Sequence, residues 1–81
     1  MIIILAGSAD EQYGRLPATL RKVADKQLVF LTHNIRHPSL RAKKYGETTG
    51  LWQARINKSW RFYFLIRNDA YYVVSIRKHQ K

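Results

Sequence analysis

The final third of the chain constrains the fold most, because apolar and polar residues alternate one by one through three consecutive runs. In residues 51–57, Trp52, Ala54 and Ile56 alternate with Gln53, Arg55 and Asn57. In residues 60–67, Trp60, Phe62, Phe64 and Ile66 alternate with Arg61, Tyr63, Leu65 and Arg67. In residues 71–79, Tyr72, Val74 and Ile76 alternate with Tyr71, Val73, Ser75, Arg77 and His79. A period of two means strands with one face on a core. The apolar faces must coincide, since a slip of one residue turns every side chain over.

That requirement favours three-residue loops, Asn57-Lys58-Ser59 and Asn68-Asp69-Ala70. Ile56 then faces Trp60, Phe62 faces Ile76, and Phe64 faces Val74. On the opposite face Arg55, Arg61 and Arg77 become direct cross-strand neighbours, with His79 just beyond. Like charges side by side on a sheet are destabilising, so an arginine row asks for an anion, and a long polyanion is the natural candidate.

The charge distribution points the same way. The net charge is +10 over 81 residues. Residues 1–35 hold four basic and three acidic side chains, whereas residues 36–81 hold eleven basic and two acidic. So one-sided a balance raises nucleic acid as the partner; a solvated basic surface or attraction to anionic membranes are the plainer readings. There is no cysteine, which excludes disulfides and thiolate metal sites and fits a reducing cytoplasm. The opening run of Met1 to Leu5 is too short for a signal peptide and lacks a basic leader. No stretch approaches the roughly 20 apolar residues of a membrane span, and no histidine pair has metal-site spacing, so neither membrane, metal nor cofactor is expected.

Upstream, residues 1–5 read as a short buried strand. Ser8 and Glu11 fit a capping box for a first helix ending near Gly14. Pro17 suits the first turn of a second helix, along which Leu20, Val23, Ala24, Leu28 and Leu31 keep an apolar stripe. Val29 and Phe30 widen that surface, and Asn34 is a candidate C-terminal cap. Residues 35–50 read as one long irregular stretch carrying Arg41, Lys43, Lys44, Gly46 and Gly50, and loops this long are more often functional than idle. The expectation is one domain spanning residues 1–81, of α+β class: strand, helix, helix, three strands, forming a small, mainly antiparallel sheet with both helices on one face.

Three segments together resemble the RelE/ParE superfamily of bacterial toxins: residues 37–44 (HPSLRAKK), residues 50–56 (GLWQARI) and Trp60-Arg61-Phe62. The most specific piece is the Leu-Trp-x-x-Arg strand followed, after a short turn, by an aromatic-arginine pair. The resemblance spans most of the chain, is densest over residues 37–79, and implies the same element order. It implies a toxin of a toxin–antitoxin module, nearest the RelE- and YoeB-like branch, whose members cut mRNA, usually on the ribosome, without a metal ion. It further implies that Arg61 contacts the scissile phosphate and that His79 is a general acid or base. Lys43, Lys44 and Arg55 match basic positions against the RNA backbone, and Arg41 and Arg77 complete the candidate phosphate-binding set. An acidic antitoxin is the implied protein partner.

Two departures stand out. Many active members carry an aromatic residue shortly after the terminal histidine or in its place, where this chain has Gln80-Lys81. Some use a loop glutamate as a base; no residue here matches it closely, and Glu47 is only a candidate. Because the ParE branch shares the fold but attacks DNA gyrase, a gyrase-directed toxin and a catalytically inactive RNA-binding domain remain alternatives. Arg77 could instead pair with an acidic protein. Trp52, Trp60 and Phe62 are read as core, and His33 and His37 as structural or surface residues. Tyr63 and Tyr71 fall on the arginine parity, placed either to stack on bases or to pack across strands.

Overall fold

The computed structural model describes residues 1–79; Gln80 and Lys81, on which the departure after His79 turns, lie outside the described residues. Strand β1 (Ile2–Leu5) leads into helix α1 (Ser8–Gly14) and helix α2 (Ala18–His33). A single 3-10 turn (Pro38–Leu40) follows, then β2 (Lys43–Gly46), β3 (Leu51–Arg55), β4 (Trp60–Arg67) and β5 (Ala70–Lys78). The sheet runs β1-β5-β4-β3-β2; only the β1–β5 pair is parallel. The α+β class and the order of helices and C-terminal strands are those expected from the alternation.

The stretch 35–50 is not irregular throughout. Its centre forms β2, an edge strand with Lys43 opposite Gln53 and Lys44 opposite Trp52. Lys-Lys-Tyr-Gly has no apolar alternation, and only pairing with β3 makes it a strand. Gly50, at φ 70°, closes the return turn in the left-handed region that favours glycine.

The capping box does not form either. Gly7 takes the N-cap position of α1 at φ 58°, without a side-chain cap bond, and Ser8 is already inside the helix. A glycine that tolerates positive φ lets the chain turn sharply from strand into helix. At the other end of α2, Asn34 occupies the C-cap with extended rather than left-handed backbone, and its Oδ1 accepts a bond from the Arg36 amide at 3.0 Å.

The core lies between the helices and one sheet face. Ala24 and Leu31 of α2 are buried with Ala9, Leu16, Leu40, Ala54, Phe62 and Phe64, while Leu20, Val23, Leu28, Phe30, Trp52 and Trp60 pack around them. Val29 instead points to solvent, more than half exposed. Phe62 and Phe64 are the largest fully buried side chains. Phe64 stacks on Trp52 at 6.2 Å and meets the Tyr71 ring edge-on at 5.6 Å.

The β4–β5 register combines two irregularities. The connection is a two-residue turn, Asn68-Asp69, with Arg67 opposite Ala70 and Asn68 at φ 54°. Asparagine tolerates that conformation better than most residues. The shorter turn moves the pairing by one, so Phe64 faces Val73 rather than Val74, and Tyr71 and Val73 supply the buried face. The register shifts back between Tyr63 and Phe64, so that Val74 has no direct partner, as at a β-bulge. Beyond it Phe62 faces Ile76 and Arg61 faces Arg77, as the alternation predicts. Tyr71, placed on the arginine parity by simple alternation, is therefore a core residue.

Truncating Phe64→Ala removes the ring on which Trp52 and Tyr71 pack. The expected loss is about 3–5 kcal/mol, read as a lower urea midpoint with an unchanged denaturant slope. A loss below about 1 kcal/mol would mean that Phe64 is not central to the core.

Candidate functional site

The helices cover one face of the sheet, leaving the other open, and there the strand pairings set three arginines in line. Arg55 is opposite Arg61 and Arg61 is opposite Arg77. Behind this row, Lys43 is opposite Gln53, Gln53 opposite Tyr63, and Tyr63 opposite Ser75.

The β3–β4 turn anchors two of the arginines. Asn57 folds it: its Oδ1 accepts from the amides of Ser59 at 2.9 Å and Trp60 at 2.8 Å. The Asn57 main-chain oxygen then accepts from Arg61 Nη1 at 2.8 Å and from Arg55 Nε at 3.2 Å. Arg61 Nη1 also reaches the carbonyls of Trp60 at 3.0 Å and Lys58 at 3.3 Å. These bonds hold the guanidinium by one nitrogen, and Nε and Nη2 have no acceptor among the described residues. The paired-donor fork that suits a phosphate is thus left available.

Arg61 is half-buried. Burial, with Arg55 and Arg41 close by, lowers its pKa below the ordinary arginine value, and Tyr63 opposes this in part. No carboxylate relieves the crowding: the one ion pair among the described residues is the exposed Arg15–Glu11 contact on α1. A bound anion would supply what the protein does not.

Arg41, Lys43, Gln53, Arg55 and Arg61 line a cavity of about 230 Å³. Arg41 reaches it from a left-handed backbone conformation, φ 46°, just after the 3-10 turn. Strain of that kind in a residue other than glycine often marks a functional position. Arg77 and His79 line a neighbouring cavity of about 540 Å³ with Tyr45, Tyr63 and Gln53; Gln53 belongs to both. The His79 amide donates to the Ser59 carbonyl at 2.6 Å, and its side chain is exposed. Arg77 sits 4.6 Å from the centre of the Tyr63 ring, and Tyr45 meets that ring edge-on at 5.4 Å. Tyr63 is nearly buried in this packing, so Tyr45, 59 % exposed, is the aromatic available to a ligand.

Of the predicted site residues, the structure brings Arg41, Lys43, Arg55 and Arg61 together. Arg77 joins the row by pairing, and His79 lies at its end in the adjoining cavity. Lys44 leaves β2 on the other face, opposite Trp52. Glu47 is exposed in the β2–β3 turn and lines none of these cavities.

Two supporting residues escape the sequence reading. Asn57 is one. Gln27 is the other: it is buried on α2, and its Nε2 donates to the Arg55 carbonyl at 2.8 Å and the Ser39 carbonyl at 3.1 Å. Its Oε1 accepts from Ser39 Oγ at 3.1 Å. One amide thereby fixes the end of β3 to the turn that delivers Arg41. A polar residue inside an otherwise apolar helical stripe, between Ala24 and Leu31, is the signal that could have found it. His37 has the structural role expected of it, stacking on Phe30 at 3.8 Å while its Nδ1 accepts from the Ser39 amide at 3.2 Å.

This α+β arrangement is the RelE fold, the architecture of YoeB, RelE and ParE toxins. Solved structures with this fold include the YoeB/ParE toxin from Agrobacterium tumefaciens, 16 % identical, with TM-score 0.81 over 99 % of this chain and 100 % of that one. YoeB in the heterotetrameric YoeB–YefM toxin–antitoxin complex from Staphylococcus aureus is 18 % identical, with TM-score 0.78 over 96 % and 95 %. The isolated RelE toxin of E. coli is 18 % identical, with TM-score 0.78 over 99 % and 85 %. Identities this low carry the fold and not the activity. No family model and no curated protein sequence matches the chain.

Replacing Gln27 by Ala takes the side-chain donor from the part-buried Arg55 and Ser39 carbonyls, while the Ser39 hydroxyl keeps His37 Nδ1 at 2.9 Å; the loss is about 1–3 kcal/mol. Thermal unfolding should show it. Gln27→Glu should lose as much or more, because a carboxylate accepts but cannot donate to the Arg55 and Ser39 oxygens. Stability equal to wild type in both variants would remove Gln27 from this role.

Proposed function

We propose that the chain is the toxin of a toxin–antitoxin pair and acts in the cytoplasm as a metal-independent endoribonuclease on mRNA, at the ribosome. The observation that carries this reading is the arginine row: three adjacent guanidinium groups on an open sheet face, with no carboxylate partner among the described residues. The shared fold with YoeB and RelE toxins supports it.

In the proposed reaction the ribose 2′-oxygen attacks the neighbouring phosphorus and passes its proton to solvent water. The bond from phosphorus to the 5′-oxygen breaks, leaving a 2′,3′-cyclic phosphate and a 5′-hydroxyl. Arg61 lies against the phosphate, with Arg55 and Arg41 beside it, so that positive charge is already in place where negative charge builds on the phosphoryl oxygens. His79 is the candidate proton donor to the departing 5′-oxygen. Lys43 and Arg77 hold the strand on either side. No metal enters this scheme, because the attacking group is carried by the RNA itself.

The YefM complex gives a precedent for the partner, since that YoeB is held by an antitoxin. For this chain the partner we infer is an acidic antitoxin whose carboxylates complement the row. One observation favours a second reading, a non-cleaving RNA binder: His79 and Arg61 line adjoining cavities rather than a single one.

Induced expression should arrest growth and produce new cuts within coding regions, detected by primer extension, with cyclic phosphate ends. Arg61→Ala should lower cleavage about a hundred- to a thousand-fold, and His79→Ala about a hundred- to ten-thousand-fold. Arrest without cuts would redirect the reading to a protein target such as gyrase. RNA binding with neither arrest nor cuts would favour the non-cleaving binder.

A further inference from the structure

A third cavity, of about 470 Å³, opens on the other side of the β2 edge. Its walls include Arg36, Pro38, Arg41, Lys43, Lys44 and Trp52. The strand register sets two lysines next to each other on opposite faces of this edge, so that Lys43 reaches both cavities and Lys44 only this one. Lys43 pairs with Gln53 and faces the arginine row, whereas Lys44 pairs with Trp52 on the opposite face. Trp52 is half-buried; it stacks on Phe64 at 6.2 Å and 19°, and with Ile35, Pro38 and Ala42 it forms the apolar part of the cavity. Arg41 and Lys43 line this cavity and the arginine-row cavity alike. The two sites are therefore consecutive stations on one cationic track around the sheet edge.

Four cations around an indole, with none of them in an ion pair among the described residues, match a ligand that is anionic and carries flat apolar groups. A nucleotide has both properties, and stacking on aromatics beside backbone-neutralising cations is how single strands are commonly held. We propose that this cavity is a second nucleotide subsite, which takes residues of the same RNA strand flanking those held on the arginine row. The inference rests on the reading of the row as an RNA site. The strand crosses the edge at Arg41 and Lys43 and places a base against Trp52, with its phosphates toward Arg36 and Lys44.

The test uses 2′-O-methyl RNA, which cannot be cut by internal attack, as a dinucleotide and as a dodecanucleotide. Binding is measured by fluorescence anisotropy for wild type, the double variant Arg36→Ala/Lys44→Ala, and Arg61→Ala. The double variant should bind the long RNA about tenfold more weakly and lower its salt slope by about 1.4, the amount for two phosphate contacts on a single strand. Its affinity for the dinucleotide should stay within about twofold, since the short probe does not reach the Trp52 cavity. In a Trp60→Phe background, the long RNA should quench Trp52 emission and the short one should not.

Equal losses on both lengths would make Arg36 and Lys44 a general field rather than a subsite and overturn the inference. No loss on either length would overturn it too, as would unchanged Trp52 emission with bound long RNA. Failure of wild type to bind either RNA would instead overturn the reading of the arginine row itself, and the inference with it. Arg61→Ala should weaken both lengths, which separates the two claims.

Discussion

Three guanidinium groups on adjacent strands repel one another, and nothing within the described residues neutralises them. The arrangement persists because each arginine shares its strand with apolar residues that must face the helices. Phe62 fixes the parity of Arg61, Ile56 that of Arg55, and Ile76 that of Arg77. Core burial, worth about 1.5–3 kcal/mol for each large side chain, thus holds the charges in line against a repulsion that solvent screens. The β3–β4 turn reduces the remaining tension by turning carbonyl oxygens toward Arg55 and Arg61. The open face is consequently set up for an anion before any anion arrives, and that prior organisation is what electrostatic catalysis requires.

Much of this was legible in the chain, for a definite reason. Alternation of period two specifies which residues share a face, so the pairing of Arg61 with Arg77 and of Phe62 with Ile76 follows once the apolar faces are made to coincide. Alternation does not specify the turn. Asn68 adopts positive φ and closes β4 to β5 in two residues, and the extra residue is absorbed at Val74. The two deviations cancel at the arginine row but not beside the turn, which is why Tyr71 and Val73 lie in the core while Arg77 sits where alternation puts it. Strand β2 was illegible because an edge strand with one paired side needs no apolar pattern of its own. The Ser8 capping box failed because Gly7, one residue earlier, could make the turn that the helix start needed.

The site was only partly legible. Charge type and strand parity pointed to Arg55, Arg61 and Arg77, and the family resemblance added Lys43, Lys44 and His79. Neither could show that Lys43 and Lys44 leave the strand on opposite faces, since that depends on β2 existing. Nor could they assign Gln27 and Asn57, whose contributions are hydrogen bonds to main-chain atoms far away in sequence or within a turn. Neither residue lines the arginine-row cavity; they fix Arg55, the Arg41 turn and Arg61 so that the charges converge.

The central claim is that this converged charge binds a phosphate chain, and the salt dependence of affinity tests it most directly. A short single-stranded RNA, made uncleavable, would be titrated against the purified protein over a range of monovalent salt. Three phosphates, one held by Arg61 with Arg41 and Arg55 and one each by Lys43 and Arg77, predict a slope of log affinity against log salt of about −2.1, from roughly 0.7 per neutralised phosphate. A slope near zero, or one unchanged by Arg61→Ala, would contradict the account.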